Sequence, residues 1–268
     1  MKVQILPWLL LFITSGSTSL AGDFDHQHTE WTEVLSRNVA VDRGTSQVNY
    51  QAILKNRTGL DNYLERVSRV SLKEYRNWSE PQQLAFLINA YNAFTVKLIV
   101  DNYPVDSIKD LGGWISTPWK KKFFTLLGEE RHLDNIEHDM IRVQFDEPRI
   151  HLAVNCAAVG CPALRPEAFV AGRLDEQLEE ATRLFLTDTR RNRYDPGRQR
   201  LELSSIFRWY HNDFEHNHGS LEEFVADRIT RDPEVRERIQ SNKVKLVYLD
   251  YDWSLNDQKR ERTSSSSK

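Results

Sequence analysis

The segment from Gln82 to Tyr103 constrains the fold of this chain more than any other part of its sequence. Ser79 is placed to cap a helix at this point, and Pro81 suits the first helical turn. Apolar residues then fall on every side of the predicted helix: Leu84, Phe86, Leu87, Ile88, Tyr91, Phe94, Val96, Leu98, Ile99 and Val100. Because such a helix has to be covered all round, we predict that it is buried at the centre of the domain.

The remaining patterns predict an α+β fold, mostly helical, with a small β-sheet packed on the central buried helix. Amphipathic helices are predicted over residues 50–70 with a break near Gly59, over residues 174–185, and from Ser204 and Ser220 onwards. A hairpin is predicted over residues 194–203 and a closing strand over residues 244–249. Residues 149–155 alternate in polarity, which predicts a further strand with His151 and Asn155 on the same face.

The length and charge of the chain narrow the classes of function. Its 268 residues suffice for one large domain or two small ones, and 40% hydrophobic with 28% charged residues is an ordinary globular composition. The formal net charge is −3. Because this balance provides no basic surface, we predict that nucleic acid is not a partner.

The first 21 residues predict an export signal. Lys2 precedes an apolar run over residues 5–13, and Ser19 and Ala21 frame the small-x-small pattern that a signal peptidase cleaves. The run is about half the ~20 residues that a membrane-spanning helix needs, which disfavours an uncleaved anchor. We therefore expect a periplasmic or secreted protein with no membrane span after cleavage.

The rest of the chain is expected to form one domain. It would occupy residues 22–255, because no internal repeat or linker divides them. The charged, serine-rich residues 256–268 are expected to form a disordered tail.

Both cysteines lie in one loop, at Cys156 and Cys161, and leave three interpretations open. In an exported protein the pair favours a disulfide, which would contribute only ~2 kcal/mol because the closed loop is short. Alternatively, one thiol is a nucleophile activated by His151 or His138. Zinc is the third possibility, but the spacing of these four residues matches no closed zinc motif, so we predict no metal and no cofactor.

Two amides interrupt the apolar surface of the central helix. Asn89 and Asn92 lie on neighbouring turns, and a buried amide without partners costs ~1–3 kcal/mol. One interpretation is that they hydrogen-bond the backbone of a packed loop. The other is that they line a pocket and hold a substrate or a catalytic loop.

Several motifs in the same order resemble one known family, the domain of unknown function 547. They are Gln83 to Val96, Leu133 to His138, Arg149 to Cys156 with Gly160-Cys161-Pro162, Phe207 to Tyr210 with Asp213-Phe214, and Tyr251 to Leu255. The chain looks like a bacterial exported member, and the resemblance covers nearly all of the mature chain. It implies no specific activity. Similar intracellular proteins keep the paired-cysteine loop, which implies that the loop does not serve a disulfide alone.

We predict that the polar and reactive side chains converge on one cleft, because each of them comes from an apolar context near the core. The candidates for catalysis are Cys161, Cys156, His151, His138 and Asn155; the candidates for substrate binding are Asn89, Asn92, Trp209, Tyr210 and Asp213. For the last three residues, packing in the core is the competing interpretation.

Two functions remain open at this stage. The first is acyl transfer or hydrolysis, with Cys161 or Cys156 as nucleophile, His151 as general base, and Asn155 or Asn89 orienting the imidazole or the oxyanion. The second is a non-catalytic module that binds an unknown small molecule or protein, with the cysteine loop as a structural element. We expect the tight turn at Gly160 to disfavour the bridge and leave the cysteines at least partly reduced.

Overall fold

The computed structural model describes residues 23–113, 116–216 and 219–258. The predicted leader, residues 1–21, and residues 259–268 of the predicted tail lie outside the described residues. Within the described part, the fold is α+β and mostly helical, as predicted.

Helices supply most of the regular structure. The α-helices are α1 (Thr29–Asn38), α2 (Tyr50–Lys55), α3 (Thr58–Arg69), α4 (Leu72–Arg76), α5 (Glu80–Asn102), α6 (Arg142–Gln144), α7 (Leu174–Leu186), α8 (Ser205–Trp209), α9 (His211–Glu215), α10 (Leu221–Ile229) and α11 (Pro233–Gln240). Short 3₁₀ turns occupy Ile108–Leu111, Pro118–Lys120, Pro148–Leu152 and Ala171–Arg173, and a π-helix occupies Asn135–Ile141.

The strands form small separate sheets: β1 (Val39–Asp42) with β2 (Thr45–Val48), β3 (Phe124–Leu126) with β4 (Glu129–Arg131), and β5 (Arg193–Asp195) with β6 (Arg200–Ser204) and β7 (Lys245–Leu249). The first two sheets are antiparallel hairpins, while β6 pairs antiparallel with β5 and parallel with β7. The β3–β4 hairpin packs on the central helix, because Phe124 stacks on Phe94 of α5 with ring centroids 3.8 Å apart.

Helix α5 is the predicted central helix. Ser79 and Gln82 form a reciprocal capping box at its start, with Pro81 in the first turn. Contrary to our expectation that no later segment could span a membrane, α5 is long and apolar enough to do so by length and composition. Its most apolar window is 89% buried, however, which is typical of a helix at the centre of a folded domain.

The predicted strand over residues 149–155 is wrong. Pro148 opens a 3₁₀ turn, and the Glu147 carboxylate accepts a hydrogen bond from the Arg149 amide, which caps the turn. The alternation does not mark one buried face, because Ile150, His151 and Leu152 are all buried.

This turn passes between two apolar clusters. Ile150 packs in the cluster around α5, whereas Leu152 packs with α7, β6 and α10 in the second cluster. A segment with core on both sides buries consecutive side chains, and His151 lies between these two contacts.

Other boundaries also differ from the predicted ones. The break between α2 and α3 falls at Asn56 and Arg57, and Gly59 lies within α3. The helix predicted from Ser204 is divided at Tyr210 into α8 and α9. The chain also remains packed beyond residue 255: Asn256 is buried and accepts a hydrogen bond of 2.7 Å from the Tyr50 hydroxyl.

The amides of α5 hold irregular segments against the helix. Asn89 donates to the Phe169 carbonyl at 2.7 Å and accepts from the Phe169 amide at 3.0 Å. Asn92 donates to the Ala153 carbonyl at 3.1 Å and accepts from the Asn155 amide at 2.8 Å. Each asparagine side chain therefore satisfies one N–H and one C=O group of a loop, as a neighbouring strand would do in a sheet.

We expect Asn92→Ala to lower the free energy of unfolding by about 2–4 kcal/mol, because it leaves a buried carbonyl and a buried amide without partners. Asn102→Ala is the matched control, since the Asn102 amide also donates to a carbonyl, that of Leu98, but at an exposed end of the same helix. Its effect should stay within about 0.5 kcal/mol. Urea denaturation followed by circular dichroism measures both, and equal losses would contradict the role given to Asn92.

Candidate functional site

A cavity of about 300 Å³ lies where the π-helix, the 148–152 turn, the cysteine loop and the end of α8 meet. Aromatic rings make up much of its wall: Tyr91, Trp119, Trp209, Tyr210, Tyr251 and Trp253. The polar and sulfur-bearing residues that line it are Asp134, Glu137, His138, His151, Cys156 and Cys161. An apolar cavity with a few converging polar groups has the composition of a small-molecule site.

The π-helix brings Glu137 and His138 to the cavity. The spacing of Asp134 and Glu137 is typical of a capping box, but Asp134 makes no capping hydrogen bond through its side chain. Glu137 is instead buried, and its Oε1 accepts a hydrogen bond of 2.6 Å from the Tyr210 hydroxyl. Burial and the Glu137 carboxylate raise the pKa of Tyr210, so that this hydroxyl keeps its proton and donates it.

His151 and Asp213 form the most polar contact of the site. His151 Nε2 lies 2.7 Å from Asp213 Oδ2, although the two residues are far apart in sequence. Arg142 donates two hydrogen bonds to the same carboxylate, from Nε at 2.6 Å and from Nη2 at 2.8 Å. The Arg142 contact fixes the carboxylate, and the carboxylate fixes the imidazole.

The charges of this pair follow from burial and hydrogen bonding. Burial lowers the pKa of His151, which outweighs the opposite effects of Asp213 and Glu137. Burial alone would raise the pKa of Asp213, but the hydrogen bonds from His151 and Arg142 hold it well below its usual range. A neutral imidazole that faces a carboxylate through Nε2 must carry its proton there, which leaves a lone pair on Nδ1.

The Nδ1 atom of His151 has no hydrogen-bond partner and is buried. The nearest carboxylate oxygen, Glu137 Oε1, lies 3.9 Å away, beyond hydrogen-bond distance. The ring is held in place by Tyr210, which stacks on it at a centroid distance of 3.7 Å and an interplanar angle of 15°. The site therefore holds an oriented nitrogen whose lone pair is not used by any hydrogen bond within the described residues.

His138 has a different environment. Its Nδ1 lies 3.0 Å from Nη1 of Arg142, and since a guanidinium can only donate, this nitrogen accepts. Arg142 thus contacts both His138 and Asp213, and positions the two residues relative to each other.

The cysteines are joined as a disulfide, and their Cα atoms are 6.2 Å apart, within the ordinary range for a bridge. The turn at Gly160 therefore accommodates a bond that we expected it to disfavour. Cys161 is 2% exposed, whereas Cys156 is only partly buried. The Tyr251 hydroxyl lies 3.2 Å from the Cys156 sulfur and 3.1 Å from that of Cys161.

The cysteine loop packs closely against the segment that carries Tyr251 and Asp252. A Cβ on Gly160 would lie 2.9 Å from the Tyr251 ring and 3.0 Å from the Asp252 carbonyl, so a side chain there would displace the segment that carries Tyr251. Arg191 donates a hydrogen bond to the Cys161 carbonyl and is paired with Asp188 at 2.7 Å. Both contacts hold the two sulfur atoms at the cavity wall.

The structure brings together most of the predicted site residues. His138, His151, Cys156, Cys161, Trp209 and Tyr210 line the cavity, and Asp213 lies directly behind His151. Asn89, Asn92 and Asn155 do not line it. Asn155, like the two helix amides, serves the backbone: it donates to the Pro162 carbonyl and accepts from the Ala157 amide.

Six residues of the site were not predicted from the sequence: Glu137, Tyr91, Trp119, Arg142, Tyr251 and Trp253. Glu137 and Tyr251 lie within the motifs quoted for the family resemblance, which was a usable signal, but capping and packing explained them equally well. Among the described residues, no group of three or more His, Cys, Asp and Glu side chains is arranged to hold a metal ion.

Comparison with known proteins supports the resemblance to one family. Residues 75–186 match the model described as "Protein of unknown function, DUF547". The match contains α5, the π-helix and the cysteine loop, covers fewer than half of the 268 residues, and ends before Asp213. No curated protein and no solved structure gives a significant match.

We expect ¹⁵N NMR to find the neutral His151 ring protonated on Nε2, with a titration midpoint below the ordinary value of about 6.5. Asp213→Ala should lower this midpoint further, because it removes the acceptor and the negative charge that favour the protonated ring. Since the folded protein disfavours the charged ring, His151 should contribute stability that is present above about pH 6.5 and lost as the pH falls through the folded pKa. A proton on Nδ1, or a midpoint above 6.5, would contradict this assignment.

Proposed function

We propose that this protein is an exported enzyme that transfers or hydrolyses an acyl group, with Cys156 as its nucleophile when the cysteine pair is reduced. The observation that carries the proposal is the pairing of His151 with Asp213, which leaves an unpartnered base nitrogen on a wall that it shares with Cys156. An oriented imidazole and a thiol that line the same cavity are the two groups from which a cysteine nucleophile and its general base are built.

The geometry favours Cys156 over Cys161. Both cysteines line the cavity, but Cys156 is the more exposed of the two and so the easier for a substrate to reach. Asp213 takes the orienting role that we had assigned to Asn155 or Asn89, since those amides are used in backbone hydrogen bonds. Tyr251 is placed to donate a hydrogen bond to either sulfur and so to stabilise a thiolate.

Once the cysteine pair is reduced, the catalytic cycle needs no group beyond these side chains, the substrate and water. His151 takes the thiol proton while the sulfur bonds to the acyl carbon, and the proton then passes to the leaving group as its bond breaks. Water attacks the resulting thioester and gives a proton to His151, the carbon–sulfur bond breaks, and the departing thiolate takes that proton back. One water is consumed, and the enzyme is regenerated.

The disulfide makes this activity conditional on reduction. A bonded sulfur pair holds no thiolate, so two electrons and two protons from a thiol or phosphine reductant are needed before the first step. In a periplasmic or extracellular location the resting form would be the bridged one, and a reducing partner would switch the enzyme on.

We expect reduced protein to release nitrophenol from 4-nitrophenyl acetate in a burst and to carry the acetyl group on Cys156, which mass spectrometry identifies. Cys156→Ala should abolish the burst. Cys161→Ala, which removes the same bridge, should keep it and no longer require a reductant. His151→Gln should slow acylation by about 10²–10⁴, the usual contribution of a general base.

The two cysteine variants are matched controls, because both lose the disulfide and only one loses the proposed nucleophile. Equal activity of the two variants, or undiminished activity of the oxidised protein, would contradict the proposal. That result would favour a non-catalytic binding module in which the disulfide shapes the cavity.

A further inference from the structure

The two sulfur atoms of the disulfide have different surroundings. Cys156 is only partly buried, whereas Cys161 is 2% exposed, so a molecule in the cavity reaches the Cys156 sulfur more easily. The backbone donors favour the other sulfur. The N–H of Cys156 donates to the Cys161 sulfur at 2.9 Å, while no backbone N–H of the described residues donates to the Cys156 sulfur. The bridge is therefore accessible at one sulfur and hydrogen-bonded by an amide at the other.

The Tyr251 hydroxyl is a second donor to the bridge. It lies 3.1 Å from the Cys161 sulfur and 3.2 Å from the Cys156 sulfur. Burial raises the pKa of Tyr251, so the hydroxyl keeps its proton. A disulfide sulfur has no proton of its own and can only accept this hydrogen bond. The hydroxyl can therefore donate to whichever sulfur becomes negatively charged.

These contacts decide which sulfur leaves when a thiolate attacks the bridge. In thiol–disulfide exchange the thiolate bonds to one sulfur, the S–S bond breaks, and its electron pair stays on the other sulfur. Attack on Cys156 places the negative charge on Cys161, which then accepts hydrogen bonds from an N–H and an O–H. Hydrogen bonds to an anion are about twice as strong as those between neutral groups. Attack on Cys156 is therefore favoured both by access and by the leaving group.

The cavity also restricts which thiol can attack. Its volume of about 300 Å³ suits a small molecule. Its described lining contains two carboxylates, Asp134 and Glu137, and neither Lys nor Arg. An anionic thiol would bring a like charge close to these carboxylates in a partly desolvated place, whereas an uncharged thiol would not.

We propose that the oxidised protein oxidises small uncharged thiols, with Cys156 as the attacked sulfur and Cys161 as the leaving sulfur. The first thiolate forms a mixed disulfide with Cys156, and the Cys161 thiolate takes up a proton. A second thiolate attacks the sulfur of the first, the bond to Cys156 breaks, and Cys156 takes up a proton. Two thiols become one small disulfide, and the two electrons that they lose reduce the protein bridge. This activity belongs to the oxidised form and goes beyond the proposed acyl transfer.

The first test identifies the attacked sulfur. The oxidised full-length protein is mixed with 2-mercaptoethanol, quenched in acid before the reaction is complete, and alkylated. Tandem mass spectrometry then locates the mixed disulfide and the alkyl group on the two cysteines. We expect the mixed disulfide on Cys156 and the alkyl group on Cys161, in an excess of about 10-fold or more over the reverse arrangement. An even distribution, or an excess of the reverse arrangement, would overturn the inference.

The second test compares rates with a matched reference. The reference is the blocked, oxidised peptide of residues 156–161, which has the same ring but lacks Tyr251 and the cavity. We expect 2-mercaptoethanol to reduce the protein about 10-fold or more faster than the peptide. Mercaptoacetate, an anionic thiol, should lose about 5-fold or more relative to 2-mercaptoethanol when the ratio of their rates with the peptide is taken as the baseline.

The third test removes the hydroxyl donor. Tyr251→Phe keeps the ring and should slow reduction of the bridge by about 10-fold, because the leaving thiolate loses one hydrogen bond. Tyr248→Phe is the matched control, since Tyr248 lies on β7 outside the cavity lining, and should leave the rate unchanged. The comparison of the unmodified protein with the peptide keeps the test decisive even if Tyr251→Phe does not fold.

A protein rate equal to that of the peptide, or an unchanged rate in folded Tyr251→Phe, would overturn the inference. An undiminished relative rate with mercaptoacetate would overturn the class of thiol. The two proposals fail separately, because acyl transfer is tested on Cys161→Ala, which has no bridge to reduce. An acyl-enzyme in that variant without fast exchange in the oxidised protein would refute thiol oxidation alone, and the opposite pair of results would refute acyl transfer alone.

Discussion

A helix that is apolar on all sides can be covered only by segments whose own backbone is then buried, and this requirement governs the fold. Helix α5 is surrounded by other helices and by irregular loops, and a loop has no ladder to satisfy its N–H and C=O groups. Asn89 and Asn92 meet that need from within the helix, each with one donor and one acceptor directed at a loop. The segment that carries His151 and Cys156 is therefore anchored to the central helix of the core.

The candidate site forms where the two apolar clusters adjoin. The turn that carries His151 separates them, and α9, which supplies Asp213, belongs to the second cluster through Phe214. The His151 ring is stacked on Tyr210 and contacts Phe214, so packing as well as hydrogen bonding fixes its orientation. A base held in this way loses no conformational entropy when a substrate binds. Such preorganisation accounts for a large part of the rate enhancement that a catalytic site provides.

The parts of the fold that could be predicted from the sequence are those in which one local pattern has one physical cause. Ser79 and Pro81 mark the start of α5, and the turn residues after Tyr194 mark the β5–β6 hairpin, because capping and turn chemistry act over a few residues. The strand predicted over residues 149–155 was wrong because two structures give the same short pattern of apolar residues. One is a strand with a single buried face, and the other is a turn buried between two apolar clusters.

Many of the residues of the candidate site could be predicted from the sequence, but not which of them contact each other. His151 and the cysteines could be named from their motif, whereas the Asp213 partner lies 62 residues away on another element, and no local spacing encodes that contact. The π-helix could not be predicted from the sequence either. A wider helical turn changes which residues face the core, but it uses the same amino acids as an ordinary α-helical turn. The spacing of Glu137 after Asp134 is typical of a cap, whereas the Glu137 side chain contributes a buried carboxylate to the cavity.

The position of Asn256 has a consequence for the order in which the molecule can be assembled. Its backbone and side chain complete the bonding of Val48, Ser46 and Tyr50, the last of which lies 206 residues earlier. Closing a loop of this length costs entropy before the contacts repay it, so we expect these contacts to form late in folding. A nascent chain that emerges from its amino terminus holds this region open until almost the last residue of the domain has followed.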